Sequence, residues 1–196
     1  MKQVLIIHGG DSFSSYEAYL ENLRTKELDY DSLKLQKKWR TWIAEQLPEI
    51  DVLLPTFPNG YNAVYEEWKM YFEKLIPFFG DDTHLIGHSL GAMFLTKYLH
   101  ENPLPQKVRQ LTLVAGQYGE RDGDDMGSFL VKSAQGIDKS AQEIHLFYSQ
   151  DDPIIDYASL AAYQKDIPAA ITHTFSNRGH FLDETFPEIL ELLQKD

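Results

Sequence analysis

Short apolar runs recur along the chain at broadly regular intervals, and longer amphipathic segments separate them. The runs are VLII (4–7), DVLLP (51–55), HLIG (84–87), LTLVAG (111–116), IHLFY (144–148) and ITHTF (171–175). Strands that alternate with helices are typical of parallel strands joined by crossover helices. A run that is apolar at every position fits a strand that is covered on both faces. The pattern therefore predicts an α/β fold, a compact three-layer sandwich with a mainly parallel sheet of about six strands and helices on both faces.

The amphipathic segments predict a helix directly after Ser89 and others at about 33–47, 62–76, 156–165 and 186–194. Two further segments interrupt the alternation, 10–32 and 117–141. Either one could shape a pocket, act as a lid, or be a plain surface insertion. No repeat or linker divides the chain, so we expect a single domain over residues 1–196.

Composition excludes several classes of function. The formal net charge is -12, and a phosphate backbone repels such a chain, so we expect no nucleic-acid partner. The chain has no cysteine, which excludes disulfides, thiolate metal sites and a cysteine nucleophile. Its histidines show no spacing typical of a metal site, and we expect neither metal nor cofactor.

The first apolar run, VLII, is too short for a signal peptide, and no run is long enough to span a membrane. We therefore expect a cytoplasmic protein without a membrane span, either a monomer or a homodimer.

The segment Gly87-His88-Ser89-Leu90-Gly91 matches the pattern G-x-S-x-G and lies between an apolar run and a helical pattern. This context is typical of a nucleophile elbow, in which a tight strand-to-helix turn lifts a serine above the sheet. Side chains at the two glycine positions would collide with the neighbouring strand or helix. The free N–H groups of the helix favour negative charge at the site. The motif predicts that Ser89 is a nucleophile.

A serine hydroxyl needs a base, and the elbow fold places an acid and then a histidine beyond later strands. Asp151 and Asp152 follow the fifth apolar run, and His180 follows the sixth. Carboxyl ends of parallel strands share one edge of a sheet, where ligands bind. The residue before Pro153 is held out of the helical region, which favours Asp152 over Asp151 as the acid. The sequence thus predicts Ser89, Asp152 and His180 as catalytic residues.

An oxyanion hole needs two backbone donors. We expect one from Leu90 and the other from the loop after the first strand, where Gly10 is favoured and Asp11 is the close alternative. His8, in the same loop, is expected to make a structural hydrogen bond. The candidate pocket wall is Phe57, Tyr61, Tyr118, Ile155 and Phe181.

Five segments carry a resemblance that spans nearly the whole chain: IIHGG, PTFPNGYNAVYEEW, LIGHSLGAMFL, SQDDPIIDY and RGHFLDE. The chain resembles the α/β-hydrolase superfamily, and within it the small serine hydrolases typified by retinoblastoma-binding protein 9 and its bacterial relatives. The resemblance implies a compact sheet without the first two strands of larger hydrolases, little cap, and a triad at Ser89, Asp152 and His180. The segment after the first strand is longer and more acidic than the family pattern.

Together these features predict a serine hydrolase that cleaves small-molecule carboxylic esters of small to medium acyl groups through an acyl-enzyme. Thioesters and amides remain open as substrates. The alternative is a binding or adaptor protein that keeps the hydrolase scaffold with little or no turnover.

Overall fold

The computed structural model describes residues 2–121 and 125–195. Six strands form one sheet in the order β2-β1-β3-β4-β5-β6, and every neighbouring pair is parallel. The strands are β1 (Gln3–Ile7), β2 (Asp51–Leu53), β3 (Thr83–His88), β4 (Val108–Val114), β5 (Ala141–Ser149) and β6 (Ile171–Phe175). Each overlaps one of the apolar runs, and the predicted α/β fold is confirmed.

Six α-helices connect or flank these strands in the described residues: α1 (Tyr16–Thr25), α2 (Trp39–Gln46), α3 (Tyr65–Glu73), α4 (Leu90–Glu101), α5 (Ala158–Asp166) and α6 (Pro187–Gln194). Short 3-10 helices lie at Asp31–Leu33, Ile76–Phe78, Gly127–Phe129 and Ile137–Lys139. Among these residues, no helix has the length and apolar character needed to cross a membrane.

Helices cover both faces of the sheet, as two consecutive residues of β5 demonstrate. Side chains of neighbouring strand residues point to opposite faces. Phe147 contacts Phe186, beside the start of α6, whereas Tyr148 contacts Tyr163 of α5. The strand core, including all of Val4–Ile7, is buried between these layers.

Two helical predictions need correction. The helix expected over 33–47 begins only at Trp39, because Leu33 is 65% exposed and has no core to pack against. Helix α1 lies inside the segment 10–32, where no helix was expected. It has no buried residue, so the apolar periodicity that marks core-facing helices is weak there.

Candidate active site

Ser89 lies between β3 and α4 in a backbone conformation that L-residues rarely adopt, with φ 55° and ψ -120°. The turn is held from both sides. The Ser89 N–H donates to the carbonyl of Val114 at 2.8 Å, and the Ser89 carbonyl accepts from the N–H of Ala92 and Met93. Strain of this kind persists only where the surrounding structure over-determines it. The arrangement has the strand-turn-helix geometry of a nucleophile elbow.

The two glycines of the motif make this turn sterically feasible. A Cβ atom on Gly87 would lie 2.5 Å from the carbonyl oxygen of Gly91, within the first turn of α4. A Cβ atom on Gly91 would lie 2.5 Å from the carbonyl oxygen of Ile7 at the end of β1. Real Cβ atoms do not approach backbone this closely, so helix and strand can pack together only because both positions lack a side chain.

Asp152, in the loop after β5, contacts the imidazole of His180. The distances from His180 Nδ1 to Oδ2 and Oδ1 are 2.9 Å and 3.1 Å, and both side chains are almost fully buried. Oδ1 also accepts the N–H groups of Ile154 and Ile155, at 2.8 Å and 3.0 Å. Burial by itself raises the pKa of Asp152, but the hydrogen bonds from His180 and these N–H groups outweigh it and lower the pKa. The carboxylate is therefore ionised at neutral pH.

His88, inside the elbow motif, joins Ser89's turn to the loop that carries His180. Its Nε2 donates to the carbonyl of His180 at 2.9 Å, and the two rings lie 5.0 Å apart. Burial, together with the nearby His180, lowers the pKa of His88 to about 3. His88 is thus a neutral structural donor.

Ser89 itself lines a cavity of about 500 Å³ at this edge of the sheet. In the described parts of the chain, the Ser89 hydroxyl has no hydrogen bond to His180 or to any other protein group. The structure therefore brings Asp152 onto His180 directly and links His180 to the elbow through His88.

The loop after β1 borders the same cavity and offers a second backbone donor. Leu90 is the first residue of α4, so its N–H has no acceptor within the helix. Gly10 also lines the cavity, and a Cβ atom there would lie 2.5 Å from the Gly60 carbonyl oxygen. The N–H of Asp11 already donates to that carbonyl at 2.9 Å. This leaves Gly10, rather than Asp11, as the candidate partner of Leu90.

His8 holds the loop after β1 in place through two hydrogen bonds of its imidazole. Its Nε2 accepts the N–H of Phe57 at 2.9 Å, so Nδ1 carries the proton and donates to the carbonyl of Gly9 at 2.6 Å. Burial lowers the pKa of His8, which keeps it neutral. The histidine makes structural hydrogen bonds, as the sequence favoured.

The cavity wall differs from the expected one. Of the five predicted residues, Ile155 lines the cavity beside Ser89. Phe57 and Phe181 are each 1% exposed and pack in the core, on Trp68 and Phe186 respectively. Tyr61 is 78% exposed on the surface. Tyr118 donates its hydroxyl to Asp166 at 2.6 Å and packs on Tyr163, away from the cavity.

Residues that the sequence did not single out form much of the wall. They come from the two interrupting segments and from α4: Ser12, Phe13, Ala18, Asn22, Met93, Arg121, Asp125 and Met126. Ala18 and Asn22 lie on α1, whose N-cap signal, Ser15 followed by Glu17 in the first turn, is visible in the sequence. Recognising α1 from this signal would have allowed Ala18 and Asn22 to be predicted as part of the cavity wall.

The two interrupting segments meet beside the cavity. The backbone N–H and the hydroxyl of Ser14 both donate to Asp125 Oδ2 at 2.7 Å, and the N–H of Gly127 donates to Oδ1 at 3.0 Å. Segment 10–32 is therefore joined to segment 117–141, of which residues 122–124 lie outside the described structure. Among the described residues, no group of three or more His, Asp or Glu side chains is arranged to hold a metal ion.

Comparison with known proteins identifies the family of this chain. A family model described as serine hydrolase matches residues 32–195. YdeN of Bacillus subtilis (strain 168) is 25% identical over 193 residues, which cover 93% of this chain and 87% of YdeN.

Solved structures show the same fold. The crystal structure of the B. subtilis ydeN gene product has a TM-score of 0.78 at 22% identity, covering 98% of this chain and 97% of that one. Est1E from Butyrivibrio proteoclasticus, with ferulic acid bound, has a TM-score of 0.62 at 13% identity, covering 100% and 87%. The thioesterase domain from the curacin biosynthetic pathway has a TM-score of 0.61 at 14% identity, covering 98% of this chain and 90% of that one. The narrower resemblance to retinoblastoma-binding protein 9 stays a prediction, but the match over most of its length shows that this chain belongs to the serine hydrolase family of the α/β-hydrolase superfamily.

Proposed function

We propose that this hydrolase cleaves carboxylic esters with small to medium acyl groups, using Ser89, His180 and Asp152 through an acyl-enzyme. The observation that carries the proposal is the buried Asp152–His180 hydrogen bond, 2.9 Å long, next to an elbow serine at the carboxyl edge of the sheet. A neutral imidazole that donates Nδ1–H to a carboxylate presents its Nε2 lone pair as a base.

In the proposed reaction, His180 Nε2 takes the proton of the Ser89 hydroxyl as the oxygen attacks the ester carbonyl. The N–H groups of Leu90 and Gly10 receive the oxyanion of the tetrahedral intermediate. His180 returns the proton to the leaving alkoxide, and the acyl group stays on Ser89. Water then gives a proton to His180 and attacks the acyl-serine, which releases the acid and restores the serine hydroxyl.

The lack of a Ser89–His180 hydrogen bond is compatible with this mechanism, because catalytic hydrogen bonds in unliganded enzymes are often long and tighten only with substrate. The cavity of about 500 Å³ has apolar side chains such as Leu90, Met93 and Ile155 near the serine. This lining suits a small or medium apolar acyl group. Thioesters, whose leaving groups depart as readily, are the next class to test.

Replacing Ser89 with alanine tests the proposal. We expect Ser89→Ala to abolish hydrolysis of p-nitrophenyl acetate and labelling by a fluorophosphonate probe, because no other group would supply the attacking oxygen. Circular dichroism should report an unchanged fold. Labelling of the variant at the wild-type rate would overturn the assignment of Ser89.

A second candidate function is a binding protein on the hydrolase scaffold, and the unbonded Ser89 hydroxyl favours it. The two are distinguished by the pre-steady-state burst. An acyl-enzyme releases one equivalent of nitrophenol per protein when acylation is faster than deacylation. No burst and no turnover with a panel of esters, thioesters and amides would favour binding.

A further inference from the structure

Asp151 precedes the triad acid but accepts hydrogen bonds from a different part of the molecule. Its Oδ1 accepts the N–H of Gly179 at 2.9 Å and the hydroxyl of Ser149 at 2.5 Å. The Ser149 oxygen in turn accepts the N–H of Arg178 at 2.9 Å. These hydrogen bonds tie the end of β5 to the two residues directly before His180.

The loop around His180 needs such support because of its backbone conformation. Gly179 has φ 49° and Phe181 has φ 52°, so left-handed residues flank the histidine on both sides. A non-glycine residue rarely adopts this region, and its conformation is held by surrounding contacts. On the far side, the guanidinium of Arg178 pairs with Asp183 and Glu188 at 3.2 Å and 3.3 Å.

Electrostatics fits an acceptor role for Asp151. The hydrogen bond from Ser149 lowers the pKa of Asp151, and the N–H of Gly179 lowers it further. The carboxylate is thus ionised at neutral pH and does not contact the imidazole, whose Nδ1 is bonded to Asp152.

We propose that Asp151, together with Ser149, is a positioning residue that holds the Arg178–Gly179 backbone so that the His180 imidazole meets both Asp152 and the Ser89 oxygen. The proposal rests on the proposed function for its kinetic consequences. Asp152 is the carboxylate that contacts the imidazole, and Asp151 acts through the peptide backbone.

Asparagine and alanine at position 151 separate hydrogen-bond acceptance from charge. Asp151→Ala removes the acceptor, and we expect kcat for p-nitrophenyl acetate to fall by about tenfold or more with KM nearly unchanged, because misplacement of a catalytic group costs rate on this scale. Asp151→Asn keeps an acceptor oxygen, and we expect it to restore most of kcat. Ser149→Ala should resemble Asp151→Ala.

Asp156→Ala is the matched control. Asp156 lies in the same loop, and its carboxylate accepts one backbone N–H, that of Ala158 at 2.9 Å, with no bond to the His180 loop. The kcat of Asp156→Ala should equal that of the wild type. A kcat of Asp151→Asn as low as that of Asp151→Ala would show that the charge is needed and overturn the positioning role. A kcat of Asp151→Ala equal to that of the wild type would also overturn the positioning role.

A second readout does not require turnover. The Nδ1 proton of His180 should give a downfield resonance in the ¹H NMR spectrum, assigned by its loss in His180→Ala. We expect this resonance to be weakened or shifted in Asp151→Ala and restored in Asp151→Asn; an unchanged resonance in Asp151→Ala would count against the proposal. If no ester is hydrolysed by the wild type, the proposed function fails while this test still decides the role of Asp151.

Discussion

The adjacent carboxylates after β5 differ in what they bind, although the sequence presents them as near equivalents. Asp152 accepts from the imidazole, and Asp151 accepts from the backbone before it. The restriction that Pro153 places on its predecessor favoured Asp152 as the acid, and the 2.9 Å contact supports that choice. The sequence contained no signal for the hydrogen bond from Gly179 to Asp151, because Gly179 lies in the loop after β6, far from Asp151 along the chain.

At the residue scale, Asp152→Asn should lower kcat far more than the similar volumes of the two side chains suggest. An amide NH2 facing His180 would favour the tautomer in which Nε2 carries the proton, so the base is lost. We expect kcat to fall by about 10³–10⁴-fold while the fold is retained. Steady-state kinetics with p-nitrophenyl acetate measures this, and Asp156→Asn serves as the control. A kcat within a few-fold of wild type would mean that Asp152 is not the triad acid.

At the scale of elements, strands were easier to predict than helices or cavity walls. A strand buried on both faces, such as β1, leaves a continuous apolar run, whereas β2 and β6 are exposed or half-buried along their length. All six strands were located, although β4 and β5 begin three residues before their runs. Helix α1 packs no residue fully into the core, so its only strong sequence signal is the Ser15 cap. The wall residues Phe13 and Met126 come from loops whose meeting depends on the Ser14–Asp125 hydrogen bonds. Such contacts leave no pattern in the sequence, whereas the elbow leaves the G-x-S-x-G motif.

The contact between α4 and β1 depends on Gly91, which yields a prediction about stability. In Gly91→Ala, the new methyl group would press on the backbone of Ile7 and His8. We expect the free energy of unfolding to fall by about 1–3 kcal/mol, as for an overpacked core, and activity to fall as the elbow shifts. Urea denaturation followed by circular dichroism measures the loss.

Gly80→Ala provides the comparison for Gly91→Ala, because a Cβ atom at Gly80 meets nothing within 4 Å. Its free energy of unfolding should change by less than about 1 kcal/mol. Equal stability of the two variants would contradict the close-packing explanation.

At the scale of the whole molecule, the chain carries a net charge of -12, and its cavity is lined by Asp11 and Asp125 as well as Arg121. A field of one sign raises the local concentration of oppositely charged substrates. We expect a lower KM for acetylcholine than for O-acetylglycolate, which carries the same acyl group on an anionic alcohol.

This preference should shrink between about 10 mM and about 500 mM NaCl, since salt screens the long-range field. Ethyl acetate, which is neutral, should show little dependence on salt. A preference for the cation that persists unchanged at high salt would point to a short-range contact instead of the overall charge.

In the proposed mechanism, the left-handed backbone at Ser89 links the reactivity of its hydroxyl to the integrity of the fold. A serine in an unfolded polypeptide seldom visits φ 55° and has no imidazole nearby, so it is chemically inert. The hydroxyl acquires its reactive setting only when β1, β3 and α4 are all in place. On the proposed mechanism, a partly unfolded or proteolysed copy of this protein has no hydrolytic activity and poses no threat of indiscriminate hydrolysis to its surroundings.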